Sequence, residues 1–323
     1  MEQSKQKQKG KIVLLIGLPG SGKSTQAFAR LQDGNTMRVS RDDIRKMLFA
    51  KWKGKKERVV TDIERAAARS AALAGYTILV DDTNLNPSTR ASWKFLADEL
   101  DVLLVEEELS TPLDECIVRD ALRQGRARIG RPIIENMALA YGKLPKLSPT
   151  DKVVIFDIDG TLADCSHRKT YLNLCRNCNE TEEFHTDPAE NECEQFIPGK
   201  KDHKIFYSKA SEDTPIWPVI QWAQQCHSFG YVVLIVSGRP TDVAGDATVK
   251  WLDHYGVMYK HLFMRAAGDF RDDRIVKQEI LDKILKWIDK DQILFTVDDR
   301  PRVIRMWRDN GLRCFDVGPG IEF

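Results

Sequence analysis

The stretch Val153-Val154-Ile155-Phe156-Asp157-Ile158-Asp159-Gly160-Thr161-Leu162-Ala163 constrains this chain more than any other. Its apolar run reads as a buried strand, and Gly160-Thr161 ends that strand abruptly, leaving two carboxylates at its carboxyl edge. Open parallel sheets place their chemistry at that edge. Two unpaired carboxylates there would repel each other and lose hydration, so they need a cation or a shared proton, and Mg²⁺ is the expected remedy. The bland alternative is a strand followed by an acidic turn.

At 323 residues the chain is long for one core, and two domains of about 150 residues are expected. The reading is a basic disordered tail (1–10), a first α/β domain (11–142), a linker (143–150) and a second α/β domain (151–323) with an insertion at 164–214. No apolar run approaches the roughly 20 residues that span a bilayer, and Met1 to Lys11 is polar without a cleavage site. A soluble, cytoplasmic protein without a membrane partner is expected. Net charge is +1, split into +7 for residues 1–150 and −6 for the rest. A basic first half suits an anionic ligand, as it does a solvated Lys-rich face. Seven cysteines without a secretory signal point to reduced thiols.

In the first half, an apolar strand over Lys11 to Ile16 runs into Gly17-Leu18-Pro19-Gly20-Ser21-Gly22-Lys23-Ser24-Thr25, and a helix follows. This is GxxxxGK[ST] in its required strand–helix setting. The glycines let backbone N–H groups turn inward on phosphate oxygens, Lys23 can neutralise the β and γ phosphates of ATP, and the Ser24 hydroxyl can ligate Mg²⁺. The next strand, Met37 to Ser40, ends at Arg41-Asp42-Asp43-Ile44-Arg45. Asp42 is the candidate base for an acceptor hydroxyl, with helix capping as the alternative. Lys51 to Arg58, with Trp52, fits equally a solvated surface or a loop that tracks a phosphate backbone. The strand Tyr76 to Val80 ends in Asp81-Asp82-Thr83-Asn84-Leu85-Asn86-Pro87. Asp82 and Asn84 could order the acceptor or Arg45; a plain Asx turn is the alternative. Arg119, Arg123, Arg126, Arg128 and Arg131, broken by Gly125 and Gly130, read as a lid closing on the transferring phosphate, of which at most two touch nucleotide. The helix Pro132 to Tyr141 is expected to complete this domain.

This succession of P-loop, Arg-Asp-Asp-x-x-Arg, Asp-Thr-Asn-x-Asn-Pro, Arg lid and DxDGT resembles the phage-type polynucleotide 5′-kinase/3′-phosphatases over nearly the whole chain. The resemblance implies an adenylate-kinase-like P-loop domain followed by a haloacid dehalogenase-like α/β domain. It also implies RNA or DNA ends as substrates, a working partnership with a ligase, and a homo-oligomer. It assigns Lys23 and Ser24 to ATP and metal, Asp42 to general base, Arg45 and Asp82 to the acceptor terminus, and Arg123, with Arg119 less strongly, to the lid.

The second half is read in the same light. DxDGT resembles the first motif of the haloacid dehalogenase-like phosphatases, with Asp157 as nucleophile and Asp159 as acid and base. Ser237-Gly238 at the end of the strand Tyr231 to Val236 resembles the second, and Arg239 adds a charge-assisted substrate contact. Lys277 resembles the third-motif lysine, with Asp273 one helical turn earlier to position it. Gln292 to Val297 reads as the last apolar strand, and Asp298 and Asp299 join Asp157 and Asp159 around Mg²⁺. The insertion holds Cys165, His167, Cys175, Cys178, His185, Cys193 and His203. Cys175-x-x-Cys178 is half a zinc knuckle without a matching half, so free surface thiols are favoured over a structural Zn²⁺. His167 and Arg168 are expected to reach the substrate.

Overall fold

The computed structural model describes residues 10–49, 56–177, 197 and 199–319. Contacts gather into two units, Met1–Ile129 and Gly130–Phe323.

The first unit runs β1 (Lys11–Ile16), α1 (Lys23–Arg30), β2 (Thr36–Val39), α2 (Arg41–Leu48), α3 (Glu57–Leu73), β3 (Thr77–Val80), α4 (Pro87–Glu99), β4 (Leu103–Glu108) and α5 (Leu113–Ala121). Its four strands form a parallel sheet in the order β2-β3-β1-β4. β1 is buried from its second residue onward, as a strand covered on both faces must be. The register Lys11↔Thr77 through Leu14↔Val80 brings the carboxyl ends of β1 and β3 side by side. The glycine-rich loop and the turn after Val80 therefore meet at one edge. Asn86 caps α4, accepting from Ser88 N at 2.9 Å, with Pro87 at the first helical position where its missing N–H costs nothing.

The second unit runs α6 (Arg131–Ala140), β5 (Val153–Phe156), β6 (Ala163–Asp164), α7 (His203–Ser208), β7 (Thr214–Pro215), α8 (Trp217–Ser228), β8 (Val232–Pro240), α9 (Thr241–His254), β9 (His261–Arg265), α10 (Asp273–Trp287), β10 (Ile293–Asp298), α11 (Pro301–Asp309) and β11 (Cys314–Asp316). Its parallel sheet has the order β11-β10-β5-β8-β9, so the Asp157 strand is central. β6 and β7 pair antiparallel through Ala163↔Pro215 and so bring the two ends of the insertion together.

After Gln292 to Val297 comes one further strand, β11, only three residues long, which pairs parallel with β10. A run that short carries no periodic signal. The helix expected to complete the first domain is α6, and it packs in the second unit along β9. β9 is an edge strand whose backbone needs partners. Glu135 accepts from Leu262 N at 3.0 Å; Asn136 accepts from Met264 N at 3.3 Å and donates to Met264 O at 2.7 Å. Among the described residues, no helix is long and apolar enough to cross a membrane.

Candidate active sites

In the first unit, Gly17 N donates to Thr83 O at 3.0 Å, tying the glycine-rich loop to the turn after β3. Gly20 has φ +85°, and a Cβ there would lie 2.3 Å from Cys116 O, so only glycine lets the loop pass so close to α5. Pro19 and Ser21 are buried in the loop, while Ser24 and Thr25 stand exposed in the first turn of α1. Lys23 folds back on its own loop, with Nζ 3.0 Å from Gly17 O, 2.8 Å from Leu18 O and 3.3 Å from Ser21 Oγ. Burial pulls its ammonium down to about 8 against the attraction of Asp81, and Arg123 adds to the fall. A phosphate restores the negative charge that this arrangement lacks. Arg119 pairs with Glu115 and leans on the loop, with Gly20 O 3.5 Å away. Arg123 is anchored more weakly, 3.4 Å from Asp120 and 3.5 Å from Ala127 O.

The acceptor side is wired differently from the expectation. Arg45 pairs with Asp42 and Glu57, not with Asp82. Asp82 holds Arg41, whose Nε lies 2.6 Å from Oδ2. Asn84 is buried with φ +47°, and its amide donates to Leu15 O at 2.9 Å and Val80 O at 3.1 Å. Those bonds satisfy backbone at the sheet edge, so the Asn84 amide nitrogen braces the turn. Sequence reasoning missed Arg41, Glu57 and Glu64. Glu64 lies buried 3.9 Å from Arg41, and its burial, with Asp82 beside it, pushes the carboxyl up to about 9. Its position was legible: Val60, Glu64 and Ala68 share one buried helical stripe, where a carboxylate is out of place. The cationic loop with Trp52 lies largely outside the described residues, as does most of the tail.

In the second unit, Asp157, Asp298 and Asp299 bring carboxylate oxygens within 4.8 Å of one another, all three buried, at the carboxyl edge of β5 and β10. Lys277, on α10, lies 2.8 Å from Asp157, 2.9 Å from Asp298 and 3.5 Å from Asp273. Burial raises Asp157 far above the carboxylate range; Lys277 opposes that, while Asp298 and Asp299 reinforce it. Burial and Asp298 push Asp299 up to about 6. Gly160 has φ +81°, and a Cβ there would lie 2.0 Å from Asp299 Oδ2. The turn thus keeps the space over Asp299 open. Three hard oxygen donors with too little positive charge around them fit a divalent cation such as Mg²⁺.

Asp159 is not in that trio. Arg239 Nε and Nη2 lie 2.8 and 2.6 Å from its Oδ1, and Arg168 Nη2 lies 2.5 Å away. Burial works against its charge, but the two arginines outweigh burial and hold the carboxyl down to about 2. Both arginines also grip Asp213, Arg168 Nε at 2.7 Å and Arg239 Nη2 at 2.6 Å, and His167 Nε2 lies 2.9 Å from the same carboxylate. Arg168 and Arg239 are fully buried. Arg168 and Arg239, expected to contact substrate, instead spend donors on this Asp159–Arg–Asp213 network, because buried guanidinium groups must find fixed acceptors. Asp213 was missed; its single carboxylate before Thr214-Pro215 carries no motif. Ser237 is buried at the end of β8, its Oγ accepting from Arg239 N at 3.2 Å. Gly238 O accepts from Arg265 Nε at 2.7 Å, and Asp273 pairs with Arg265 at 3.2 Å and Arg300 at 3.5 Å.

Cys165 and Cys175 are buried, not surface thiols, and burial lifts Cys165 to about 12. Cys178, His185 and Cys193 lie outside the described residues. Among the described residues the three aspartates are the one group with metal-ligand spacing, and no Cys/His set joins them.

Residues 199–322 match the family of the polynucleotide kinase PNKP phosphatase domain, and residues 12–141 match the AAA domain family. The chain thus joins a P-loop domain to a domain that matches the polynucleotide kinase phosphatase family. The phosphatase match begins downstream of β5, and the sheet supplies the link, since β5 lies between β8 and β10. The two domains imply nucleotide and Mg²⁺ use in general terms. The chain is 24% identical over 321 residues to the "Putative bifunctional polynucleotide kinase/RNA ligase" of Autographa californica nuclear polyhedrosis virus, covering 92% of this chain and 41% of that protein. It is 28% identical over 130 residues to the L-seryl-tRNA(Sec) kinase of Methanococcus maripaludis, covering 39% of this chain and 50% of that one. The chain therefore spans half or less of the length of these curated relatives. Among solved structures, that of a Pnkp1/Rnl/Hen1 complex is 25% identical, with 98% of this chain and 99% of that chain covered and a TM-score of 0.38. That superposition is too loose to add to the domain matches.

Proposed function

We propose that the chain heals nucleic-acid ends: it phosphorylates 5′-hydroxyl ends from ATP and removes 3′-phosphates from RNA or DNA. The observation that carries this reading is the meeting of Asp157, Lys277, Asp298 and Asp299 at one sheet edge, in a domain of the polynucleotide kinase phosphatase type.

In the first domain, Lys23 leaves its loop carbonyls for the β and γ phosphates, and Arg123 and Arg119 close on the transferring group. Asp42, held by Arg45, takes the proton of the 5′-hydroxyl. Ser24 offers the metal ligand of this site. In the second, an Asp157 oxygen attacks the phosphorus of the 3′-phosphate, the bond to the 3′-oxygen breaks, and that oxygen takes a proton from Asp159. Water then attacks the aspartyl-phosphate, the bond to Asp157 breaks, and Asp159 receives the water's proton. Asp159 rests in the ionised form suited to this second step, so donation in the first requires release from Arg168 and Arg239 and uptake of a proton from solvent before the bond to the 3′-oxygen breaks. Lys277 and Ser237 hold the phosphate oxygens. A cation bound by Asp157, Asp298 and Asp299 supplies the charge that keeps the nucleophile ionised.

The products, a 5′-phosphate and a 3′-hydroxyl, are the ends a ligase seals. The name of the baculovirus relative couples polynucleotide kinase with RNA ligase, which supports an RNA ligase activity as working partner. The test is transfer of label from γ-labelled ATP to 5′-hydroxyl RNA and DNA, with the 3′ end followed in parallel. Label passing to a free nucleoside but to no oligonucleotide would overturn the assignment.

A further inference from the structure

Beside the phosphatase residues lies a cavity of about 290 Å³, near the lower end of the range for small-molecule sites. No role described above uses it. One wall is α7, the insertion's helix, through His203 and Tyr207; Pro240 and Val243 form another; the loop after β9 closes the third with Phe270. Its position is tied to the chemistry at two points. Pro240 follows Arg239 at the end of β8, and Arg265 on the rim reaches Gly238 O at 2.7 Å and Asp273 at 3.2 Å. α7 is locked to Asp159, because the Arg168 guanidinium lies 4.1 Å over the Phe206 ring and Phe206 packs edge-on against Tyr207 at 4.9 Å.

The rim arginines are already engaged. Arg265 donates to Gly238 O, Arg271 O and Asp273, and Arg271 pairs with Asp269 and Glu279. A second phosphate would find no spare guanidinium here. Beside the exposed Lys204 and the carboxylates of Asp242 and Asp269, what the cavity mainly offers is ring and aliphatic surface: Tyr207, Pro240, Val243 and Phe270, the last 87% exposed although it is among the largest apolar side chains of the domain. Those surfaces suit a neutral planar ring.

We infer that this cavity receives the base of the 3′-terminal nucleotide, stacked against Phe270 and Tyr207 while its 3′-phosphate sits at Asp157. The inference rests on the phosphatase reading above and adds how the site distinguishes a nucleic-acid end from a small phosphate ester. Base–aromatic stacking of this kind is worth roughly 5-fold to 100-fold in kcat/KM.

The test uses the full chain with two oligonucleotides bearing 3′-phosphates, alike except that one lacks the terminal base. The natural sequence should favour the base-bearing oligonucleotide by about tenfold or more. Phe270→Ala should bring the ratio of the two close to one, and Phe270→Tyr should keep it. Equal rates on both oligonucleotides in the natural sequence, or an undiminished ratio in Phe270→Ala, overturn the subsite while leaving the phosphatase in place. Release of phosphate from p-nitrophenyl phosphate but from neither oligonucleotide overturns the nucleic-acid reading and the subsite together.

Discussion

Asp42, the candidate base of the first domain, leaves 76% of its side chain in solvent beside Arg45, whereas Asp157, the candidate nucleophile of the second, is sealed between Lys277 and Asp298. The contrast follows from what each carboxylate must do. A base that accepts a proton from an incoming hydroxyl works once the acceptor has covered it, so its site can stay open until then. A carboxylate that attacks phosphorus gains from being dry and from having its charge balance arranged beforehand, and burial supplies both. The first site is completed by its substrates; the second is built in advance and carries a standing electrostatic strain.

The largest effect expected from that contrast is at the buried site. Asp157→Asn should lower release of phosphate from a 3′-phosphate oligonucleotide by at least ~10³-fold while 5′ phosphorylation continues. A variant that retains phosphatase activity would refute the nucleophile assignment. Next comes Asp213→Ala, which strands Arg168 and Arg239 in the interior with one carboxylate fewer. Breaking a buried ion network of this kind costs about 3–5 kcal/mol. It should appear in denaturant unfolding as an earlier transition of the second domain alone, and a shift below about 1 kcal/mol would show that Asp159 suffices to hold both arginines. The open site should be more forgiving. Asp42→Ala is expected to slow 5′ phosphorylation by about 10²-fold, the lower end for a general base, and to leave stability and 3′-phosphatase activity unchanged. Equal losses in both activities would mean that the two sites are coupled.

The same contrast explains what could be read from the residues in order. The P-loop and DxDGT announce themselves because each is a local backbone shape: Gly20 and Gly160 sit at φ +85° and +81°, which glycine adopts without strain whatever the rest of the fold does. The strands that feed them are apolar runs that a parallel sheet demands. Partners chosen by tertiary packing left no such trace. Arg41, not Arg45, answers Asp82; Asp213, 54 residues beyond Asp159, shares both its arginines; and Asn84 serves the backbone. In each case the residue type was right for a site and only the fold decided which neighbour it faced. α6 packs along the edge of β9, and that pairing was invisible in the sequence because its pattern fits any apolar surface.

Glu64 is the exception that sharpens the comparison, a buried carboxylate within the otherwise open site. Burial, with Asp82 beside it, lifts its carboxyl from the usual 4.5 to about 9, against the pull of Arg41 and Arg65. A carboxyl whose folded pKa lies above its unfolded one binds its proton more tightly in the native state. Its contribution to stability is therefore complete below about 4.5 and is lost as pH climbs towards 9. Glu64→Gln keeps the shape and stays neutral throughout, so its stability should not fall across that window on this account. Near pH 8.5 the first domain of the variant should melt clearly above the natural sequence, with the gap closing by pH 5. Parallel melting curves from pH 5 to 9 would mean that Arg41 and Arg65 neutralise Glu64 fully. The first site would then be as well balanced as an exposed one, and strain would be confined to the phosphatase.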